Sequence, residues 1–286
     1  MSVMKRPQRQ GFVKSGEASD QGNEVGSAAM TADASTDRAV SVDLADHVAT
    51  VEIHRPPHNW FDIAVMTELA DAILGLDDEP ECRALVLCSE GRNFCAGADL
   101  KGSDLLDVTT TLYEQAARLF SNRKPIVAAV QGAAVGGGLG LSLAADFRVA
   151  SPETRFSCNF AKLGFHQGFG ISATLPAVVG QQHALELMYT AVDVRGEEAL
   201  RIGLADRLVA ADDLRDAALA FAGEIASSAP LALLSIRDTM RGGLADQVRA
   251  ATAREHQEQQ RLRQTADFQE GITATAERRP PKFTGR

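Results

Sequence analysis

The sequence predicts an α/β protein built on parallel strands. Three observations lead there. Apolar runs alternate with runs of helical period between Val40 and Ser151, a glycine-rich stretch joins two of those apolar runs, and every patterned segment from about Gln181 onward is helical.

Taken in order, "VSVDLADHVATVEIHRP" (40–56) alternates apolar and polar residues about an Asp-His pair, which predicts a β-hairpin. "DIAVMTELADAILGLDD" (62–78) has helical spacing. "CRALVLCSEG" (82–91) is a short Leu- and Val-rich strand closed by glycine. "TTLYEQAARLFSNRKP" (110–125) is helical and stops before Pro125. "IVAAVQG" (126–132) is a buried strand, followed by a helix over Gly137–Ala145 and the strand "DFRVAS" (146–151). Helices are then predicted at 181–192, 196–203, 211–230 and 231–240, with a long polar one at 243–279.

Composition narrows the function. The chain has 286 residues, 45% hydrophobic and 23% charged, with 29 Lys+Arg against 38 Asp+Glu. A net charge of −9 argues against nucleic acid as a partner. Cys82, Cys88, Cys95 and Cys158 lack both CxxC spacing and disulfide density, as in a reduced, cytoplasmic protein. No uninterrupted apolar run reads as a membrane span, and the scattered histidines suggest no metal site. Residues 1–37 hold few large apolar side chains and are expected to form a disordered extension.

The glycines of "VGGGLGLSL" (135–143) carry chemistry. Glycine costs about 1 kcal/mol against alanine inside a helix, so bare backbone must serve some other end here. No Lys-Ser/Thr pair follows, and Leu141 stands where a dinucleotide fingerprint needs its third glycine. What remains is a strand-to-helix turn whose unbonded N–H groups face an anion, or glycines that let helix and sheet approach closely. "SEGRNFCAGADLKGSD" (89–104) supplies a second small-residue turn beyond a strand, where Asp99 can cap a following helix.

Together "RNFCAGADLK", "KPIVAAVQGAAVGGGLGLSLAADFRVAS", "KLGF" and "ERRPPKF" resemble the enoyl-CoA hydratase/isomerase (crotonase) superfamily, in consistent order from about Val40 to Phe283. The resemblance implies a ββα spiral core over 38–220 and a C-terminal helical region over 221–286 that mediates homotrimer or homohexamer assembly. It implies an acyl-CoA substrate, with coenzyme A entering as part of that substrate and no permanently bound cofactor. Two N–H groups of such proteins hold the thioester oxygen as it gains charge, and the matching positions are Ala98 and Gly137. Coenzyme A is expected along His58, Asn59 and Ala96, with Lys101 meeting phosphate and Arg278 at a basic position that reaches coenzyme A.

One departure matters. The hydratases of this family carry two glutamates, and the matching positions here are Gly140 and Phe160. Neither side chain transfers a proton, which argues against standard hydration of a 2-enoyl-CoA. His166 in "GFHQGFG" becomes the candidate acid or base, or else a histidine that bonds backbone and shapes the pocket. Isomerisation, decarboxylation, C–C hydrolysis and non-catalytic acyl-CoA binding stay open as alternatives. Tyr113 and Glu114 are candidates to line the acyl pocket, Asn159 to orient a water or acyl oxygen, and Trp60 to pack. Asn59 or Asp62 is expected to cap a helix, and Asp146 to hold backbone or a basic partner.

Overall fold

The computed structural model describes residues 38–98 and 105–286. The expected disorder of 1–37, the Asp99 cap and the Lys101 contact lie outside them. β1 (Val40–Ala45) and β2 (Val48–Ile53) form the predicted hairpin, turned at Asp46 and His47 with φ of 49° and 67°. Positive φ at both positions matches the right-handed twist of the flanking strands. The remaining strands are β3 (Ala84–Ser89), β4 (Ile126–Val130), β5 (Ala133–Val135), β6 (Phe147–Ala150), β7 (Arg155–Ser157), β8 (Asp193–Arg195) and β9 (Arg207–Leu208). A six-stranded sheet runs β1-β2-β3-β4-β6-β9 and is parallel from β2 onward. A second sheet, β5-β7-β8, pairs β5 and β7 in parallel.

The helices are α1 (Ile63–Gly75), α2 (Leu105–Leu119), α3 (Gly137–Ala144), α4 (Ile171–Thr190), α5 (Gly196–Arg201), α6 (Leu214–Ala226), α7 (Pro230–Arg241), α8 (Leu244–Leu262) and α9 (Ala266–Ala276). Alternation along β3 sorts its side chains onto two faces. Leu85 and Leu87 join a large core with residues of α1, α2, α3 and α4, whereas Val86 and Cys88 join a smaller one under α6. Asp62 is the cap of α1, its Oδ1 accepting the Val65 N–H at 2.9 Å.

Two helices differ from expectation. α4 begins at Ile171 rather than Gln181 and bends at Gly180, whose φ of 78° and ψ of 158° leave helical space. The long polar helix is divided into α8 and α9. Thr265 is extended there, and its Oγ1 accepts the Phe268 N–H at 3.2 Å, a cap that starts a new helix. No single helix among the described residues is long and apolar enough to cross a membrane.

Asp146 ties the sheet to α7. Its Oδ2 accepts the Ile126 N–H at 2.8 Å, and the carboxylate pairs with Arg237 (3.0 Å) and Arg241 (2.6 Å). Removing one member of such a buried network leaves the others uncompensated. Asp146→Ala is therefore expected to lower stability by about 3–5 kcal/mol in urea unfolding.

Candidate active site

The site begins with a short backbone ladder. The Cys95 N–H donates to Ala133 O at 3.0 Å and the Val135 N–H donates to Cys95 O at 3.0 Å, so the Phe94–Ala98 segment runs beside β5. Toward the other side, the Phe61 N–H donates to Gly97 O at 3.1 Å, forming the parallel bridge Phe61–Ala98. β5 then enters Gly136, whose φ of 56° and ψ of −117° suit glycine alone, and α3 opens at Gly137.

Two backbone segments thus end side by side. A Cβ on Gly97 would stand 3.0 Å from Val135 O and 3.7 Å from the Gly137 nitrogen. On Gly138 a Cβ would fall 2.0 Å from Cys95 O, so glycine there permits the helix to seat on the turn. Ala98 and Gly137 line the same cavity, and among the described residues neither N–H is matched to an acceptor. The Gly137 N–H is one of the donors a helix start leaves unbonded.

The position of the first missing glutamate is not an empty one. A Cβ on Gly140 would meet Phe169 Cβ and Cδ1 at 2.7 Å. Phe169 is fully buried, with φ of 63°, and its ring packs against Phe61 at 5.4 Å between centroids. Phe160 lines the cavity near Gly136. Aromatic carbon therefore stands beside Gly140 and at Phe160.

The left-handed turn at Phe169 is secured from α8. Glu255, wholly buried, accepts the Gly170 N–H and the Ser172 N–H at 2.8 Å each, satisfying the start of α4. Burial pushes its pKa up, against the pull of those hydrogen bonds and of His166.

Leu112, Leu163, Phe165, Val135 and Phe61 complete most of the apolar wall. Its polar members are Asp62, Asn159, Tyr113, Gln259 and Arg263. The Tyr113 hydroxyl donates to Gln259 Oε1 at 2.8 Å, and Gln259 Nε2 donates to His166 O at 2.9 Å. Burial raises the Tyr113 pKa, so the phenol keeps its proton.

The other sequence candidates are distributed differently. His166 does not line this cavity; its Nδ1 donates to Gln167 O at 2.8 Å, which is the backbone-bonding reading of that residue. Asn59 is buried, accepts the Arg55 N–H at 3.0 Å and donates to Glu90 O and Asn93 O at 2.8 and 2.7 Å. Its amide is engaged within the protein rather than offered to a ligand. His58 is exposed and stacked on Trp60 at 4.6 Å, and its carbonyl accepts the Ala96 N–H at 2.9 Å. Arg278 is exposed beyond α9. Tyr113 lines the cavity and Glu114 does not. Burial pushes the Cys158 and Cys95 thiols up to about 12, so neither is a thiolate at neutral pH. Among the described residues no three His, Cys, Asp or Glu side chains gather as a metal site.

Sequence reading missed Phe169, Gln259 and Arg263. A signal for Gln259 existed in spacing alone, since Thr252, Glu255 and Gln259 recur three and four residues apart, on the one face of α8 that proves buried.

Comparison with known proteins gives a consistent result. Residues 43–286 match the family described as Enoyl-CoA hydratase/isomerase. A Rhodobacter capsulatus protein named "Probable enoyl-CoA hydratase" is 34% identical over 254 residues, covering 86% of this chain and 98% of its own. A similarly named Mycobacterium bovis protein is 34% identical over 274 residues, covering 86% of this chain and 93% of its own. The crystal structure of an enoyl-CoA hydratase/isomerase from Pseudoalteromonas atlantica superposes with a TM-score of 0.77 at 30% identity, over 86% of this chain and all of that one.

Two outcomes follow from the packing. Gly140→Ala is expected to cost about 1–3 kcal/mol by overpacking, and that cost to vanish in a Phe169→Gly background, which removes both the ring and the Cβ it would meet, read as a coupling energy from denaturation. Glu255 has a folded pKa above its ordinary 4.5, so its contribution to stability is full below pH 4.5 and falls as pH rises through the folded value. The stability difference between wild type and Glu255→Gln is accordingly expected to decline from pH 4.5 upward, measured by urea titration at several pH values.

Proposed function

The chain belongs to the enoyl-CoA hydratase/isomerase family, and on that premise we propose that it acts on an acyl-CoA thioester without performing standard 2-enoyl-CoA hydration. The thioester oxygen sits between the N–H groups of Ala98 and Gly137 and is stabilised as it gains charge toward an enolate or a tetrahedral oxyanion. Such donors matter most in a dry site, and the aromatic wall around them excludes water.

The observation that carries the reading is Phe169 in the space beside Gly140. Hydration needs a base for the water and an acid for the α-carbon. The one carboxylate among the described lining residues is Asp62, which caps α1 and pairs with Arg55 at 3.3 Å. Tyr113 is held protonated, and His166 lies outside the wall. That equipment favours reactions drawing chiefly on oxyanion stabilisation, such as loss of a carboxyl group as carbon dioxide, over addition of water.

Coenzyme A contacts are proposed for exposed His58, for Arg278 and for Lys101, with the Ala96 main chain at the mouth of the cavity. The C-terminal helices are proposed to assemble a homotrimer or homohexamer, supported by exposed Leu231, Ile236 and Met240 on α7.

Crotonyl-CoA hydration is expected to run at least about 10³-fold below a family member that keeps both glutamates; hydration at ordinary hydratase rates would sink the proposal. In a Phe61→Ala background, which clears the ring that a Cβ at residue 137 would otherwise meet at 2.5 Å, Gly137→Pro removes one donor while suiting the first position of a helix. It is expected to lower kcat on any thioester turned over by about 10²–10³-fold, with thioester binding retained.

A further inference from the structure

A polar group inside an apolar cavity needs a partner once a ligand covers it, and Asn159 has none within the protein. It lines the cavity, and among the described residues its side-chain amide makes no hydrogen bond. The other polar side chains of the wall are engaged. Asp62 is committed to the α1 cap and Arg55, Tyr113 and Gln259 are bonded to each other, and Arg263 has its own contact in the protein. Asn159 opens the short 3₁₀ turn Asn159–Leu163, and a Cβ on Gly136 would stand 3.2 Å from its Oδ1 and 3.6 Å from Phe160 Cζ. The amide thus lies against the residue that precedes Gly137. Its turn is held from behind by α9: a Cβ on Gly271 would fall 2.4 Å from the Leu163 carbonyl carbon, and one on Gly164 would fall 2.6 Å from Asp267 O.

The chemistry of that amide selects among acyl groups. It offers two N–H donors and a carbonyl acceptor. An acyl chain that fills the aromatic wall excludes solvent from them, and a methylene group laid against them returns nothing. An oxygen substituent restores the bond. A hydroxyl can donate to the amide or accept from it, and an oxo group accepts from it. The apolar surroundings strengthen a bond made there. Position along the chain follows from Gly136. Its neighbour Gly137 bears an N–H proposed for the thioester oxygen, so the amide lies beside the first carbons beyond the thioester, not at the far end of the chain.

We infer that Asn159 sets the acyl specificity of this cavity: the acyl group bound carries a hydroxyl or oxo oxygen on its second or third carbon, and the Asn159 amide hydrogen-bonds that oxygen. The inference rests on the acyl-CoA reading above and adds to it the recognising residue and the substituent recognised.

Isothermal titration of the full chain with four thioesters of one chain length tests it. Butyryl-CoA is compared with 2-hydroxybutyryl-CoA, 3-hydroxybutyryl-CoA and acetoacetyl-CoA. At least one of the three oxygenated thioesters is expected to bind about tenfold tighter than butyryl-CoA. Asn159→Leu is expected to erase that preference while butyryl-CoA binds at least as tightly as before, and Asn159→Ala serves the same comparison where the leucine variant does not fold. No preference for any oxygenated thioester, a preference that survives in a folded variant, or equal weakening of all four by the substitution, the mark of a merely structural side chain, would each overturn the inference. In all three the acyl-CoA reading stands. Absence of binding by all four thioesters would remove that reading itself, and this inference with it.

Discussion

The two hydrogen bonds that pair Cys95 with β5 are the constraint on which the site depends. They hold the Phe94–Ala98 segment in register with the strand that runs into Gly136 and Gly137. Without that pairing, Ala98 and Gly137 would be ends of separate loops. With it, their positions are set by sheet geometry, which varies by tenths of an ångström rather than by ångströms. The glycines at 97 and 138 are the steric counterpart of the same constraint, since side chains there would push the turn and the helix apart. If Ala98 and Gly137 act as the donors proposed above, this scaffold would hold both in place before any charge develops.

Around those donors the wall is carbon, and its shape is controlled from a distance. Phe169 occupies a backbone conformation that side chains seldom adopt, and the neighbouring turn is secured by Glu255 from α8. The same helix contributes Gln259 to the cavity and its C-terminal cap contributes Arg263. One helix late in the chain therefore both braces the turn bearing Phe169 and supplies the cavity's polar side. The strand-to-helix turns bring bare backbone to the cavity, and α8 with its C-terminal cap brings polar side chains.

Much of the fold was legible in sequence because long elements repeat their pattern. The Asp-His hairpin, the parallel runs and the helices at 62–78 and 211–240 follow from periodicity and turn chemistry. The strands β5, β7, β8 and β9 hold two or three residues each, too few for alternation to register. The α8–α9 break hid inside a polar run because a threonine cap looks like any other polar residue. Ala98 and Gly137 stand out by motif, since bare backbone needs small residues at fixed positions, and both line the cavity. Phe169 and Arg263 do not, because what they touch is decided by packing between segments far apart in the chain. His166 and Asn59 show the converse: polar residues in suggestive loops whose hydrogen bonds turn inward to the backbone.

Phe169 beside Gly140 also couples the two positions. No side chain enters position 140 by a single change without its first carbon meeting the Phe169 Cβ and ring at 2.7 Å. Trimming the ring first opens a void in a packed core, at about 3–5 kcal/mol for a phenylalanine reduced to alanine. Either order of substitution passes through a protein worse than its starting point. A side chain larger than hydrogen at position 140 therefore requires a coordinated change at position 169.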